Sequence, residues 1–521
     1  MYRINPLFPL RKSFWLVRLI LSIFLVSCSI STEENPINPV INSKTEAPVV
    51  KETPKLQGSV PQIENSTLPP LEPSPPLTPI AEETQNEPVS ILVDPELLKP
   101  NYFLSADLAY QAHSLKVREV ISLTNTLDDV LPDLVFGVDA LNWEKGFTLN
   151  KFSITNNYSV SVTLTKGLMQ VLVQPSIQPG EFLTVTIDFQ LDLVLGGGST
   201  GYTNRQANFG DWYPYLVLYK PGIGWVYHPP AVVGEAQILP VANFDVKLTL
   251  DNSDLILATS LYFEQENGNY HWAGKNIRNV TWSVSPEYIV LENHSKDHLI
   301  RQFVFPEHQM AGEASLEVAQ KAFKLFTEMF GSNNRNYLSI VEVEFFDGME
   351  YDGLFFLSQD YFAAYSGNPM GYLTIITAHE VAHQWWYANI ANDQANEPWL
   401  DEALCTYSEK LFFQHYFPYL LDWWQVFRID RYAPTGWVNS SIYDFVGFRP
   451  YVDAVYLRGA LYLEAIDQEI GEEAVLSLLQ RYNHDYSGRI ATSPDFEEYL
   501  IDYLTKERIE EIKSGFFIPI P

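Results

Sequence analysis

His379-Glu380-Val381-Ala382-His383, followed after eighteen residues by Glu402 in the run Trp399-Leu400-Asp401-Glu402-Ala403-Leu404, is the stretch on which the fold and chemistry of this chain turn. Residues 372–390 are apolar and free of Gly and Pro, so they predict one buried helix over that span. Four-residue spacing then sets both imidazoles on one face, with Glu380 one residue further round, beside a metal rather than on it. Neutral imidazoles suit zinc, and a catalytic zinc takes a third protein ligand while leaving a position for water, whose pKa it lowers to roughly 7. Glu402 can be that ligand. The plain alternative is a core helix that carries His, Glu and His without a metal.

The surroundings favour the metal. Asn396 as N-cap and Pro398 in the first turn predict a second helix that runs through Trp399 towards Phe413, with Glu402 just inside it. Two turns further on the same face stands Glu409, placed to accept a hydrogen bond from a ligand histidine and fix its tautomer. A solvated helix carboxylate fits the same residue. The zinc scheme with a third histidine six residues after the second requires Gly and His where this chain has Trp386 and Asn389.

A glutamate ligand on a following helix resembles the gluzincin peptidases, and the eighteen-residue gap with the Trp-Leu-Asp-Glu run resembles the aminopeptidase N family of zinc metallopeptidases among them. Two further segments carry that resemblance. Tyr456-Leu457-Arg458-Gly459 is similar to the family's Tyr-x-Lys-Gly segment, which implies that the Tyr456 phenol hydrogen-bonds the tetrahedral oxyanion; a core tyrosine fits as well. Asp347-Gly348-Met349-Glu350-Tyr351 is similar to the family's Gly-x-Met-Glu-Asn segment. That resemblance implies an edge strand, with Gly348 and Met349 against the bound peptide and Glu350 on its free amine. Asp347 and Tyr351 depart from the pattern, which leaves strict exopeptidase specificity open, and the family's second amine anchor has no evident counterpart. The resemblance covers roughly residues 100–515. It implies one zinc per chain held by His379, His383 and Glu402, with Glu380 as general base. It also implies a more open site, because only residues 472–512 follow the tyrosine helix where longer members continue into a helical superhelix.

Residues 1–28 carry a different signal. Arg11 and Lys12 precede a short apolar run, and Leu25-Val26-Ser27-Cys28 resembles the bacterial lipoprotein box, in which the cysteine is diacylated. An ordinary cleaved signal peptide is the alternative. Residues 29–100 contain no aromatic side chain and fourteen of the 34 prolines, a composition unable to bury a core, so they read as a partly extended tether. Cys405 is the only other cysteine, and no disulfide is expected.

From Tyr102 the composition changes to β-rich. Leu183, Val185, Ile187, Phe189 and Leu191 alternate with polar partners after Pro179-Gly180, and so do Phe244, Val246, Leu248 and Leu250. Gly196-Gly197-Gly198-Ser199 lacks the ending of a phosphate loop and reads as a connection. Helical periodicity begins near Ala314. The expected fold is α+β: a signal segment at 1–27, a tether at 28–100, a β-sheet domain at 101–295 and a thermolysin-like, mainly helical catalytic domain at 296–521. A net charge of −31 argues against nucleic acid as partner. The expected function is peptide hydrolysis by a bacterial, lipid-anchored envelope enzyme acting on peptides or proteins. An endopeptidase and a noncatalytic envelope binding protein stand as alternatives.

Overall fold

Alternation builds the N-terminal half. In Phe182–Asp192 the five apolar residues named above are all buried, and in Ala242–Leu250 the same holds for Phe244, Val246 and Leu248. Burial at every second residue sets one face of each strand on the core. In the computed structural model, which describes residues 97–518 apart from 156, 157, 197 and 297, these strands lie in a seven-stranded sheet. Asn101–Ala109 runs parallel to Ala242–Leu250, and the remaining pairs are antiparallel. Two four-stranded sheets and a two-stranded one complete this half among the described residues. Trp212, Phe209 and Trp282 stack or meet edge to face in the core between them. Rings of this size each contribute on the order of 1.5–3 kcal/mol by burial.

The sheet of the catalytic half has the order Ile289–His294, Leu299–Val304, Tyr337–Val343, Leu354–Ser358, Gly348–Tyr351. Its three middle strands are parallel, and Tyr337–Val343 is buried at every position, as an interior parallel strand must be. Ile289–His294 pairs into this sheet, so the division by sheets falls before Ile289 rather than at 295/296. Hydrophobic alternation identifies a strand but not the sheet it joins. Gly348–Tyr351 is the outermost strand, antiparallel to Leu354–Ser358.

Helix Gln309–Phe330 connects two of the parallel strands and begins before the expected 314. It buries Leu316, Ala319, Phe323, Phe326 and Phe330 on one face. Helices Tyr372–Ala382, Trp399–Tyr416 and Arg458–Ile470 pack around the same core, followed by Glu472–Tyr486, Ser493–Leu500 and Lys506–Lys513.

Two expectations about helix ends fail. Helix Tyr372–Ala382 stops at His383 instead of running to 390. The chain turns away instead: Tyr387 adopts φ 150°, outside any helix, and the buried Arg278 guanidinium, far away in sequence, donates to the carbonyls of Tyr387, Ala388 and Asn389 in that turn. The second helix starts at Trp399 with Pro398 as its cap residue, not Asn396. Asn396 instead serves the preceding turn, where its main-chain N–H and its side-chain amide both donate to the Asp393 carboxylate.

Candidate active site

His379 and His383 extend from the last turn of helix Tyr372–Ala382 towards Glu402 in the first turn of helix Trp399–Tyr416, and all three are nearly inaccessible to solvent. Glu402 Oε2 lies 3.1 Å from His379 Nε2 and 3.6 Å from His383 Nε2. Two donors each about 2.0–2.1 Å from a tetrahedral zinc stand roughly 3.3 Å apart, so the observed separations bracket the spacing that zinc requires. The other ring nitrogens are held. His379 Nδ1 donates to Glu409 Oε1 at 2.8 Å, and His383 Nδ1 to the Trp386 carbonyl at 3.1 Å, which turns both Nε2 lone pairs towards Glu402.

Glu409 is fully buried rather than solvated. The Arg428 guanidinium grips both its oxygens at 2.9 Å, and Trp424 donates a further hydrogen bond. Burial alone would raise the Glu409 pKa, but the Arg428 charge and the His379 hydrogen bond outweigh it and hold the group below the usual carboxylate range. Likewise burial opposes charge on Glu402, yet the adjacent His379 and His383 side chains bring its pKa down to about 2. A permanently ionised carboxylate beside two oriented imidazoles is the donor chemistry of a zinc site.

Glu380 sits within 4.8 Å of His383 and Glu350, its Oε2 buried and without a hydrogen-bond partner, and burial pushes its pKa up to about 8. Tyr456 stands in the π-helical turn Val452–Leu457 just before helix Arg458–Ile470. Its ring stacks on His379 with centroids 5.7 Å apart and planes 6° from parallel. Burial raises its pKa well above the ordinary tyrosine value, with Glu402 adding to the effect, so the phenol keeps its proton.

The edge strand closes one side. Gly348 is so near Glu380 that an added Cβ would lie 2.1 Å from Oε1. Two residues along, on the same face, Glu350 is 95% buried and receives a hydrogen bond from Gln394 at 3.0 Å. The Met349 side chain alternates to the opposite face and packs against the small core around Phe356 and Tyr351. Asp347, where the motif would have glycine, adopts φ 71°, the left-handed conformation that glycine favours and aspartate tolerates better than most residues. The Tyr361 hydroxyl holds its carboxylate there.

Sequence reasoning missed Glu235. Its carboxylate lies within 4.8 Å of those of Glu350 and Glu402, and burial followed by repulsion from Glu350 raises its pKa well above normal. It sits on a loop between Gly234 and Ala236 with no periodicity to flag it. Cys405, one helical turn beyond Glu402, is a buried free thiol within 4.8 Å of both ligand histidines.

Two oriented histidines, a glutamate from the next helix and an unpartnered glutamate beside them define a gluzincin-type zinc hydrolase centre. Residues 314–516 match the Peptidase family M1 domain, the domain shared by the aminopeptidase N family of zinc metallopeptidases. It is 26% identical over 196 residues to human Aminopeptidase O, a match covering 32% of this chain and 23% of that protein. For rat Aminopeptidase O the identity is 25% over 161 residues, 25% of this chain and 20% of the relative. The matched segment therefore spans less than a quarter of these relatives. Among solved structures, the M1 zinc metallopeptidase of Deinococcus radiodurans superposes with a TM-score of 0.57 at 14% identity, covering 82% of this chain and 96% of that one. A mutant two-domain M1 zinc metallopeptidase bound to L-arginine gives 0.57 at 15%, over 81% and 95%. These likenesses show the shared α+β fold.

Proposed function

We propose that the chain is a zinc-dependent, aminopeptidase-like enzyme that hydrolyses the first peptide bond of substrates with a free N-terminus. The observation that carries this reading is the convergence of the Glu350 and Glu235 carboxylates beside the metal ligands. Two carboxylates at the blind side of a cleft form a seat for an ammonium group, and Glu235 takes the place of the second amine anchor that the sequence did not reveal.

His379, His383 and Glu402 would hold the zinc, with Glu409 fixing the orientation of His379. When bound, zinc supplies Lewis-acid activation of water and of the scissile carbonyl. Glu380, with an unpartnered oxygen, takes the proton from the attacking water and passes it to the departing amine. Tyr456, which keeps its phenolic proton, donates to the carbonyl oxygen as charge gathers on it. The outer edge of Gly348–Tyr351 offers main-chain groups to an extended peptide, and Glu350 sets the register by holding its amine.

The test is cleavage of matched peptides with free and acetylated N-termini. Free-amine peptides should be cut at least tenfold faster, because acetylation leaves buried carboxylates without their partner. Glu350→Ala should erase that preference. Equal cleavage of both by the parent protein favours the endopeptidase alternative, for which the departures at Asp347 and Tyr351 speak.

The setting is part of the same proposal: a bacterial envelope enzyme anchored by lipid on Cys28 and held outward by the proline-rich segment. Cys28 and residues 29–96 lie outside the described residues, and the sequence alone supports this reading; Leu98 and Pro100, expected in the tether, are instead buried against the β half. Among the described residues no helix is long and apolar enough to cross a membrane. Cys28→Ala should move the exported protein from membrane to soluble fractions, and a variant that still sediments with membranes overturns the anchor.

A further inference from the structure

A cavity of about 480 Å³ opens beside Glu350 and Glu235 and extends into the β half of the molecule, where Asp139 and Asp211 line it. The two aspartates come from separate places in the fold. Asp139 begins a short 3-10 turn after strand Leu131–Gly137, and Asp211 follows strand Ala207–Phe209. They are neighbours in space, and the Asp211 charge adds to the cost of ionising Asp139. Gln237 donates to Asp139 Oδ2 at 2.6 Å, and the Tyr351 hydroxyl donates to Asp211 Oδ2 at 3.3 Å.

We propose that Asp139 and Asp211 form a specificity subsite that takes the cationic side chain of an N-terminal lysine or arginine. The inference rests on the aminopeptidase reading and names the substrate class of that same site.

Four observations support it. The first is proximity: Asp211 lines the same cavity as Glu350 and lies near enough for the Glu350 charge to raise its pKa, so one ligand can place its amine at Glu350 and its side chain at Asp211. The second is charge. Among the described residues neither aspartate takes part in an ion pair, and the one Lys or Arg that lines the cavity, Lys166, is exposed. Burial, and for Asp139 the neighbouring Asp211, raises both pKa values, Asp211 to about 6. An arriving guanidinium or ammonium reverses that cost, because it pairs with carboxylates already removed from water.

The third is an unused donor. Tyr215 is 92% buried and lines the cavity, and its hydroxyl makes no hydrogen bond within the described residues. It is free to join a polar side chain there. The fourth is preorganisation: the Thr200 hydroxyl accepts from the Asp211 main-chain N–H at 3.1 Å, and the Gly210 N–H donates to the Ser199 carbonyl, so the loop bearing Asp211 is set before any ligand arrives.

Arginine and citrulline differ at the end of the side chain by charge with little change in shape, so their fluorogenic amides isolate the effect. The zinc-loaded protein should turn over the arginine amide with a kcat/KM at least tenfold above that of the citrulline amide. Asp211→Asn and Asp139→Asn, which keep size and one acceptor, should each cut that ratio several-fold. A parent ratio within twofold overturns the subsite while leaving the aminopeptidase reading intact. Failure of the parent to hydrolyse any amino-acid amide overturns the aminopeptidase reading instead. The subsite is then judged by calorimetric titration of zinc-loaded Glu380→Gln protein with L-arginine and L-citrulline. At least tenfold tighter arginine binding, lost in the added Asp211→Asn change, supports it, and equal affinities overturn it.

Discussion

Gly348→Ala should disable the proposed general base without unfolding the protein. The backbone at Gly348 lies outside the left-handed region, so alanine adopts it without strain. Its Cβ, however, would stand 2.1 Å from Glu380 Oε1 and 2.8 Å from Cδ, closer than the 3.0 Å that real contacts respect. The carboxylate must retreat by about 1 Å, and an error of about that size in a reacting group costs roughly a hundredfold in rate, or about 2.7 kcal/mol of barrier. Little opposes the retreat, because the displaced atoms end a flexible side chain whose Oε2 has no partner. Stability should therefore change by less than about 1 kcal/mol, in the range of substitutions that disturb no packed core. Steady-state kinetics on a free-amine amide should show the loss in kcat with KM within a few-fold of the parent, and metal analysis should still find one zinc per chain. A large rise in KM at unchanged kcat would mean that the methyl group blocks substrate instead of moving Glu380. Parent-like kcat/KM would refute the geometry from which the prediction is built.

Glu380→Gln should retain one zinc and lose turnover, whereas His383→Ala should lose the metal itself; metal content after dialysis and amide hydrolysis separate the two roles, and an active Glu380→Gln protein ends the assignment. Tyr456→Phe should lower kcat about a hundredfold with modest change in KM and with metal retained, as for a donor used in the transition state; an unchanged kcat makes Tyr456 a packing residue. In the β half, Glu119 is fully buried with neither oxygen hydrogen-bonded, and burial raises its pKa well above normal. Above the unfolded-state value of about 4.3 the folded chain keeps a proton there that the unfolded chain has lost. Stability contributed by that proton is full below this value and falls by about 1.4 kcal/mol per pH unit until the folded pKa is reached. Glu119→Leu should raise stability at pH 7 by about 1–3 kcal/mol and flatten that decline; urea denaturation at pH 5 to 8 with parallel curves for both proteins would contradict it.

Spacing along the chain was enough to bring forward the centre of the site. His379 and His383 are one turn apart on one helix, Glu402 and Glu409 two turns apart on another, and such periods survive any tertiary arrangement that keeps the helices. The strands with strict alternation, Phe182–Asp192 and Ala242–Leu250, were legible for the same reason. Their partners were not, because alternation specifies a buried face and says nothing of which sheet supplies the neighbour; Ile289–His294 joined the catalytic sheet on that account. Tertiary contact also holds the turn that follows the zinc helix, since Arg278, distant in sequence, binds the carbonyls of Tyr387, Ala388 and Asn389 there. It likewise brought Glu235, Asp139 and Asp211 from loops and turns up to about two hundred residues away into the cavity beside Glu350. A carboxylate on an aperiodic loop looks in sequence like any solvated acid among 64. The sequence by itself determined which histidines and glutamates converge as candidate metal ligands and the class of chemistry, because these depend on periods within single helices. Only the fold decided what surrounds the substrate, because a binding pocket is made of contacts between segments whose separation along the chain carries no information about their distance in space.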